Sequence, residues 1–173
     1  YVGRIDKIEK APLRSIKIWE RLYKKHPDWK LVLVGSGEYM DTMVSYVKTH
    51  CVDRVYFEGS KMNLTHYYQK ASFVCLTSNY EGWGMALTEG MQYGCIPVTF
   101  NSYGAASDII EDGVSGCLIR PFSLRQYAKC LSKLMKDEAL RTKMSNEAYK
   151  KVCEFDSENI VQKWDALFKS VLK

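Results

Sequence analysis

Short apolar runs alternate with longer stretches of helical apolar spacing along this chain. The runs at 1–3, 30–34, 55–57, 72–77, 96–99 and 116–119 are brief and rich in Val, Ile, Tyr and Phe. Bounded by Gly, Ser, Asn and Pro, they predict buried strands. Between the first two, Leu13, Ile16, Trp19, Leu22 and Tyr23 recur at helical spacing and make one apolar stripe. After the turn at Gly35, Ser36 and Gly37, a second helix carries Met40, Met43, Val44 and Val47 on one face. Beyond Pro121 the pattern is helical to the end. Ser123 is placed to cap a helix through Leu131, Leu134 and Met135. Ser157 is placed to cap a last helix bearing Ile160, Val161, Trp164, Leu167, Phe168 and Val171.

Strands that alternate with helices predict an α/β fold of three layers, a parallel sheet covered by helices on both faces. In open sheets of this kind, ligands bind beyond the carboxyl ends of the strands. Arg4, the turn 35–37, the segment 59–61 and the loop 79–84 all follow strands, so they are expected to share one edge.

At 173 residues the chain is expected to be one domain, 1–173, with a terminal helix over 155–173. It starts at Tyr1 inside an apolar run, which reads as an excised fragment; no signal peptide, membrane-spanning run or low-complexity segment is apparent. The six cysteines lack metal-type spacing, and several lie in strand-like runs. Free thiols in a reduced, cytoplasmic compartment are the expectation. His26, His50 and His66 are scattered and read as surface or capping residues rather than metal ligands. The net charge of +5 is concentrated in 129–151, where acidic residues are interspersed. That segment reads as a solvated helical face, with peripheral contact to anionic headgroups on the inner face of a membrane as the sharper alternative. No alternation of basic and aromatic residues suggests nucleic-acid binding.

The run from Ser78 to Glu89 carries the most chemistry. Glu81 and Glu89 stand eight positions apart, with Gly82 and Gly84 breaking the extended segment and an apolar stretch beginning a helix. A strand, glycine loop and helix leave amides unpaired at the helix start, where an anion can dock. Helical side chains lean toward the N-terminus, so Glu89 can reach the mouth that Glu81 occupies. An anion cradle with two carboxylates beside it suits a ligand that is part phosphate and part polyol, as a nucleotide-sugar is.

Glu81 to Glu89 resembles the Glu-x7-Glu signature of retaining GT-B glycosyltransferases, family four. Val2-Gly3-Arg4 with Lys10 resembles that family's opening strand and basic pair, and 33–37 its second strand and glycine turn. The segments 55–59, 94–98 and 110–116 are similar to further family elements, in order. The resemblance runs nearly end to end. It implies a Rossmann-like domain, the C-terminal, donor-binding half of such an enzyme, whose terminal helix packs toward an N-terminal domain outside this chain. It further implies transfer of a hexosyl group from a nucleotide-sugar, without metal, to a glycan or lipid-linked acceptor, as in bacterial surface polysaccharide or lipopolysaccharide synthesis. No Asp-x-Asp motif is present. Arg4 and Lys10, with the amides of Gly82 to Met85, are then the groups that stabilise the departing diphosphate.

On the same resemblance Glu81 holds the donor sugar and Glu89 the ribose hydroxyls. Gly3, Gly35, Gly37, Met85 and Ala86 line the donor, Ser60 and Lys61 lie near the base, and 101–106 is another loop at that edge. Each reading has a plainer alternative. Arg4 or Lys10 can pair with a surface carboxylate, and Glu89 can merely interact with the helix dipole for ~0.3–1 kcal/mol. The glycines at 35 and 37 can supply only a tight turn. Trp83 can close over the sugar or pack into the helix start. The family usually follows the lysine with glycine, and this chain has Ala11-Pro12 there. Rival functions are a nucleotide-sugar epimerase of the same architecture and a non-catalytic nucleotide-binding module.

Overall fold

The computed structural model describes residues 1–172. Five short strands are present: β1 (Leu31–Val34), β2 (Val55–Gly59), β3 (Phe73–Cys75), β4 (Ile96–Phe100) and β5 (Cys117–Ile119). The helices are α1 (Leu13–Trp19), α2 (Met40–Thr49), α3 (Thr65–Lys70), α4 (Met85–Met91), α5 (Ala106–Ile109), α6 (Leu124–Lys136), α7 (Glu138–Cys153) and α8 (Ser157–Val171). Every strand pairing is parallel, as expected, but the ladder comes in two blocks, β1–β2 and β3–β4–β5. The opening strand is reduced to one parallel bridge, Val2 to Val34. The Val34 amide donates to the Tyr1 carbonyl at 2.8 Å and the Gly3 amide to the Val34 carbonyl at 3.0 Å. Tyr1 and Val2 of the opening segment line one cleft with Val74 and Cys75 of β3, which sets the blocks side by side in the order β2, β1, the opening segment, β3, β4 and β5. The chain order reverses between the opening segment and β3, and loops at such a switch point open a crevice for ligands.

Strand β4 is buried throughout and β1, β3 and β5 in part, which is why they read as near-continuous apolar runs, whereas β2 at the outer edge leaves Tyr56 exposed. Leu33, Ile96, Val98 and Phe100 lie in one core with Ile16, Ile18 and Trp19 of α1, Leu87 and Met91 of α4, and Leu131 and Leu134 of α6. Pro12 at the cap position, φ −65°, is preset for entry into α1. The α1 stripe breaks after Trp19, and Tyr23–Lys25 form a single 3₁₀ turn. In α2 only Met43 is buried, while Met40, Val44 and Val47 are half-buried. Ser123 caps α6 as expected, its hydroxyl accepting from the Gln126 amide at 3.4 Å. Asp137 ends α6 and opens α7, its carboxylate accepting from the Leu140 amide at 2.9 Å.

Two expectations need correction. Asp156, not Ser157, occupies the cap position of α8, and its side chain takes no amide there. His26 is buried rather than superficial, with Nε2 bonded to the Ser132 hydroxyl at 2.8 Å. Core packing accounts for little of the α8 stripe, because Val161, Trp164, Leu167, Phe168 and Val171 are all exposed. The six cysteines are free thiols. Among the described residues, no helix is long and apolar enough to cross a membrane.

Candidate functional site

Loops 4–10, 78–84 and 101–105 leave the carboxyl ends of the opening segment, β3 and β4, on either side of the switch point. Glu81 is at their centre. One carboxylate oxygen accepts from Lys10 Nζ at 2.6 Å and the other from the Ser78 hydroxyl at 2.7 Å. The Glu81 side chain is only 7% exposed and that of Lys10 21%, so water screens this pair weakly. Tyr103 lies nearby: burial, with the negative charge of Glu81 adding, pushes its hydroxyl up to about 12. It therefore remains a hydrogen-bond donor at neutral pH.

The two principal loops are fastened to each other. The Asn79 amide donates to the Glu9 carbonyl at 2.7 Å, and its side-chain nitrogen to the Ile8 carbonyl at 2.5 Å. Arg14 of α1 donates to the Asn79 side-chain oxygen at 2.7 Å and the Thr77 carbonyl at 3.0 Å. Its guanidinium lies 4.4 Å from the centre of the Phe122 ring. Within loop 4–10, Asp6 accepts from the amides of Glu9 and Lys10 at 2.7 and 3.2 Å, which turns the Lys10 side chain toward Glu81. Ser102 ties the third loop to the Ser78 carbonyl at 3.2 Å.

Lys10 and Glu81, assigned separately from sequence, are thus one ion pair. Arg4 is two-thirds exposed and pairs with Glu9, the surface carboxylate of the plainer alternative. Ala11 has φ 44°, a left-handed conformation that favours glycine. The loop therefore keeps the backbone course that glycine would give it, at a strain of about 1–2 kcal/mol. Ala11→Gly is expected to be neutral or to stabilise the fold by up to about 1 kcal/mol, after the extra freedom of unfolded glycine is subtracted; thermal unfolding checks it.

Helix α4 begins after Gly84 without a side-chain cap. Among the described residues, the amides from Gly82 to Ala86 have no acceptor. Glu89, one turn into α4, accepts from the Tyr68 hydroxyl at 2.8 Å. Burial, and then this bond, raise the Tyr68 pKa far above its ordinary value, so Tyr68 stays a donor. One oxygen of Glu89 is thereby held and the other left for a further partner. Trp83 follows the packing alternative, its ring meeting Phe155 edge-on with centroids 5.1 Å apart. Met85 is exposed beside it, and Tyr80 is also exposed. Ser60 and Lys61 are exposed after β2, an outer strand of the order, at the same edge but further from the Lys10–Glu81 pair.

Gly35 and Gly37 are where loop 35–37 crosses the opening segment. A Cβ on Gly35 would overlap the Gly3 carbonyl oxygen and stand 2.9 Å from its carbon. A Cβ on Gly37 would overlap the Ile5 carbonyl oxygen and stand 2.7 Å from its carbon. The close approach these glycines permit is thus to the protein's own backbone.

The sequence gives no separate role to Ser78, Asn79, Arg14, Tyr68 or Tyr103, although the first two lie in the motif run and Tyr103 in loop 101–106. Ser78 and Asn79 had a signal, since both directly precede the motif loop at a strand end. Arg14 and Tyr68 had none, since each meets its partner only through the fold. Among the described residues, no three His, Cys, Asp or Glu side chains gather as a metal site would require.

Three known proteins place this geometry among relatives. The chain is 29% identical over 154 residues to the poly(glycerol-phosphate) alpha-glucosyltransferase of Bacillus subtilis, covering 88% of this chain and 23% of that one. It overlays a TarM variant of Staphylococcus aureus, solved with fondaparinux, alpha-GlcNAc-glycerol and UDP, at TM-score 0.88 and 25% identity, covering 97% of this chain and 34% of that one. It overlays the C-terminal domain of the group 1 glycosyl transferase LpcC of Francisella tularensis at TM-score 0.80 and 28% identity, covering 88% of this chain and 82% of that one. The chain spans under a quarter of the B. subtilis enzyme and is the size of a C-terminal domain of this kind. Residues 1–151 match the family model described as glycosyl transferases group 1, and the chain belongs to that family.

Proposed function

We propose that this chain is the donor-binding C-terminal half of a retaining glycosyltransferase that moves a hexosyl group from a nucleotide-sugar to a glycan or lipid-linked acceptor. The observation that carries the reading is the weakly screened Lys10–Glu81 pair, which joins two loops at the switch point beside unpaired amides. The diphosphate docks on the amides from Gly82 to Ala86 and on Arg4, whose exposed pairing with Glu9 a phosphate displaces at little cost. Glu81 faces the sugar, Glu89 takes the ribose hydroxyls through its free oxygen, and Lys10 moves between Glu81 and the phosphate. The bond from the anomeric carbon to the diphosphate breaks as the acceptor oxygen bonds on the same face. The acceptor proton passes to the departing diphosphate. Positive groups of the chain balance the leaving charge, so no metal is required.

The support from relatives is of the same kind. The B. subtilis relative is named for glucosyl transfer to poly(glycerol-phosphate), and the S. aureus relative was solved with UDP. An N-terminal domain supplies the acceptor site, and the exposed apolar stripe of α8 packs on it. The donor is cytoplasmic, and the acceptor brings the enzyme to the membrane surface.

Calorimetric titration of the purified chain with nucleoside diphosphates and their sugars tests this reading. Weak saturable binding of one nucleoside diphosphate is expected, with no sugar transfer by this chain alone. Glu89→Ala is expected to weaken nucleoside binding about tenfold, since a hydrogen bond to a charged group contributes ~1.5–3 kcal/mol. Unchanged binding of every ligand by Glu89→Ala and Glu81→Ala would remove the assigned roles.

A further inference from the structure

Glu89 belongs to α4 but is held from α3. The Tyr68 hydroxyl donates to its Oε2 at 2.8 Å across 21 positions of sequence. Among the described residues its Oε1 has no partner, whereas both oxygens of Glu81 are engaged. The ring that carries this hydroxyl is fixed from several sides. Tyr68 is 3% exposed and stacks on Tyr93, with ring centroids 5.9 Å and planes 13° apart. The Cys95 thiol donates to the Tyr68 and Ala71 carbonyls at 3.2 and 3.3 Å, which anchors the end of α3 to the residue before β4. At the start of α3, the Thr65 and Tyr93 hydroxyls meet at 3.2 Å. Packing explains the ring, since phenylalanine would fill the same space, but it does not explain the hydroxyl. A buried hydroxyl needs a partner, and among the described residues its partner is a carboxylate of the motif helix.

We propose that Tyr68 is a positioning residue of the nucleoside site: by holding one oxygen of Glu89 it sets the other against a ribose hydroxyl, and so makes the site select ribose over deoxyribose. The inference rests on the donor-binding reading above and deepens it. Its physical ground is rotamer freedom. A glutamate on an open helix face samples several rotamers, and fixing it at the moment of binding opposes association. Tyr68 removes that freedom when the chain folds, so the ligand meets an acceptor already in place. The phenol is suited to this, because burial and the bond itself keep its proton on at neutral pH. A held carboxylate oxygen is left unpaired by a deoxyribose, whereas a loose one turns to water instead. Selectivity for the hydroxyl therefore depends on the hold.

Calorimetric titration of the whole protein with UDP, GDP and ADP, each beside its 2′-deoxy and 3′-deoxy analogue, tests it. For the diphosphate that binds best, the parent is expected to prefer ribose over at least one deoxy form about tenfold, the effect of one hydrogen bond to a charged group. Tyr68→Phe keeps the ring and its stack on Tyr93 and removes only the donor. It is expected to lower that preference to about threefold or less, because Glu89 regains its rotamers. Glu89→Ala should abolish the preference. This readout is a ratio of two affinities for the same folded molecules, so partial unfolding of a variant leaves it unchanged. Thr65→Val cuts another link between α3 and the segment after α4, and is expected to keep the parent's preference. If Tyr68→Phe keeps the full preference while Glu89→Ala loses it, the inference is overturned and the ribose role of Glu89 stands. A preference that survives Glu89→Ala overturns that role and the inference with it. A loss in Thr65→Val as large as in Tyr68→Phe also overturns the inference, since it would mark a general loosening of α3 rather than a hold on Glu89.

Discussion

Glu81→Gln in the whole protein is expected to lower turnover about 100- to 1000-fold, the ~2.7–4 kcal/mol that one preorganised group contributes to a developing charge. Glutamine keeps the length and the acceptor for Ser78 but removes the charge that the proposed function sets opposite the anomeric centre. A positive charge grows on the sugar ring as the diphosphate leaves, so the loss falls on the chemical step. Turnover should therefore fall while the Michaelis constant for donor changes little. Lys10 also loses its partner. A hydrogen bond between charged groups contributes ~1.5–3 kcal/mol, and for a chain of this size each kcal/mol is ~2–4 °C in melting temperature. A melting point lower by several degrees, with nucleoside binding retained, is the expected pattern. Steady-state kinetics beside a thermal melt separates the effects. Unchanged turnover with weakened nucleotide binding would move Glu81 from the sugar to the phosphate.

Much of this fold and part of this site were legible in the sequence, for a physical reason. Parallel strands buried in a sheet leave apolar runs, and helices facing a core leave stripes, so β1 to β5 and the helices α1, α2, α4 and α6 could be read directly, whereas the short α3 and α5 carry too few residues to show a stripe. The Glu81 and Glu89 positions were visible because strand, loop and helix are contiguous there. Legibility ended where partners are remote in sequence. The link from Lys10 to Glu81 spans 71 positions and that from Arg14 to Asn79 spans 65. Nothing local marks either. Trp83 was ambiguous because an aromatic residue at a helix start has the same signature whether it faces a ligand or Phe155. The bareness of α8 was also hidden, since an apolar stripe is the same whether its partner is the core or another domain.

Gly35→Ala is expected to destabilise the protein by about 4 kcal/mol or more, a loss that single substitutions reach only by mechanisms such as backbone strain. Gly35 has φ 146°, outside the range L-residues adopt with ease, and its added Cβ would meet backbone rather than the end of a flexible side chain. Neither wall can retreat. The Gly3 amide is bonded to Val34 at 3.0 Å, and the Gly35 amide is itself held by the Gly59 carbonyl at 2.8 Å. Moving either strand would break the ladder that ties the opening segment to β1. The same shift would displace Arg4, which follows Gly3 directly, and Lys10 in the same loop, so nucleotide binding should fall with stability. At ~2–4 °C per kcal/mol, the melting temperature is expected to drop by roughly 8–16 °C. Gly82→Ala is the matched control, since a Cβ there meets no atom within 4 Å. It lies in the loop proposed to hold the diphosphate, yet its melting temperature should stay within about 2 °C of the parent, because a surface change without clash is usually within ~0.5 kcal/mol. Equal melting points for the two variants would show that the crossing of loop 35–37 over the opening segment is not a fixed feature of the fold.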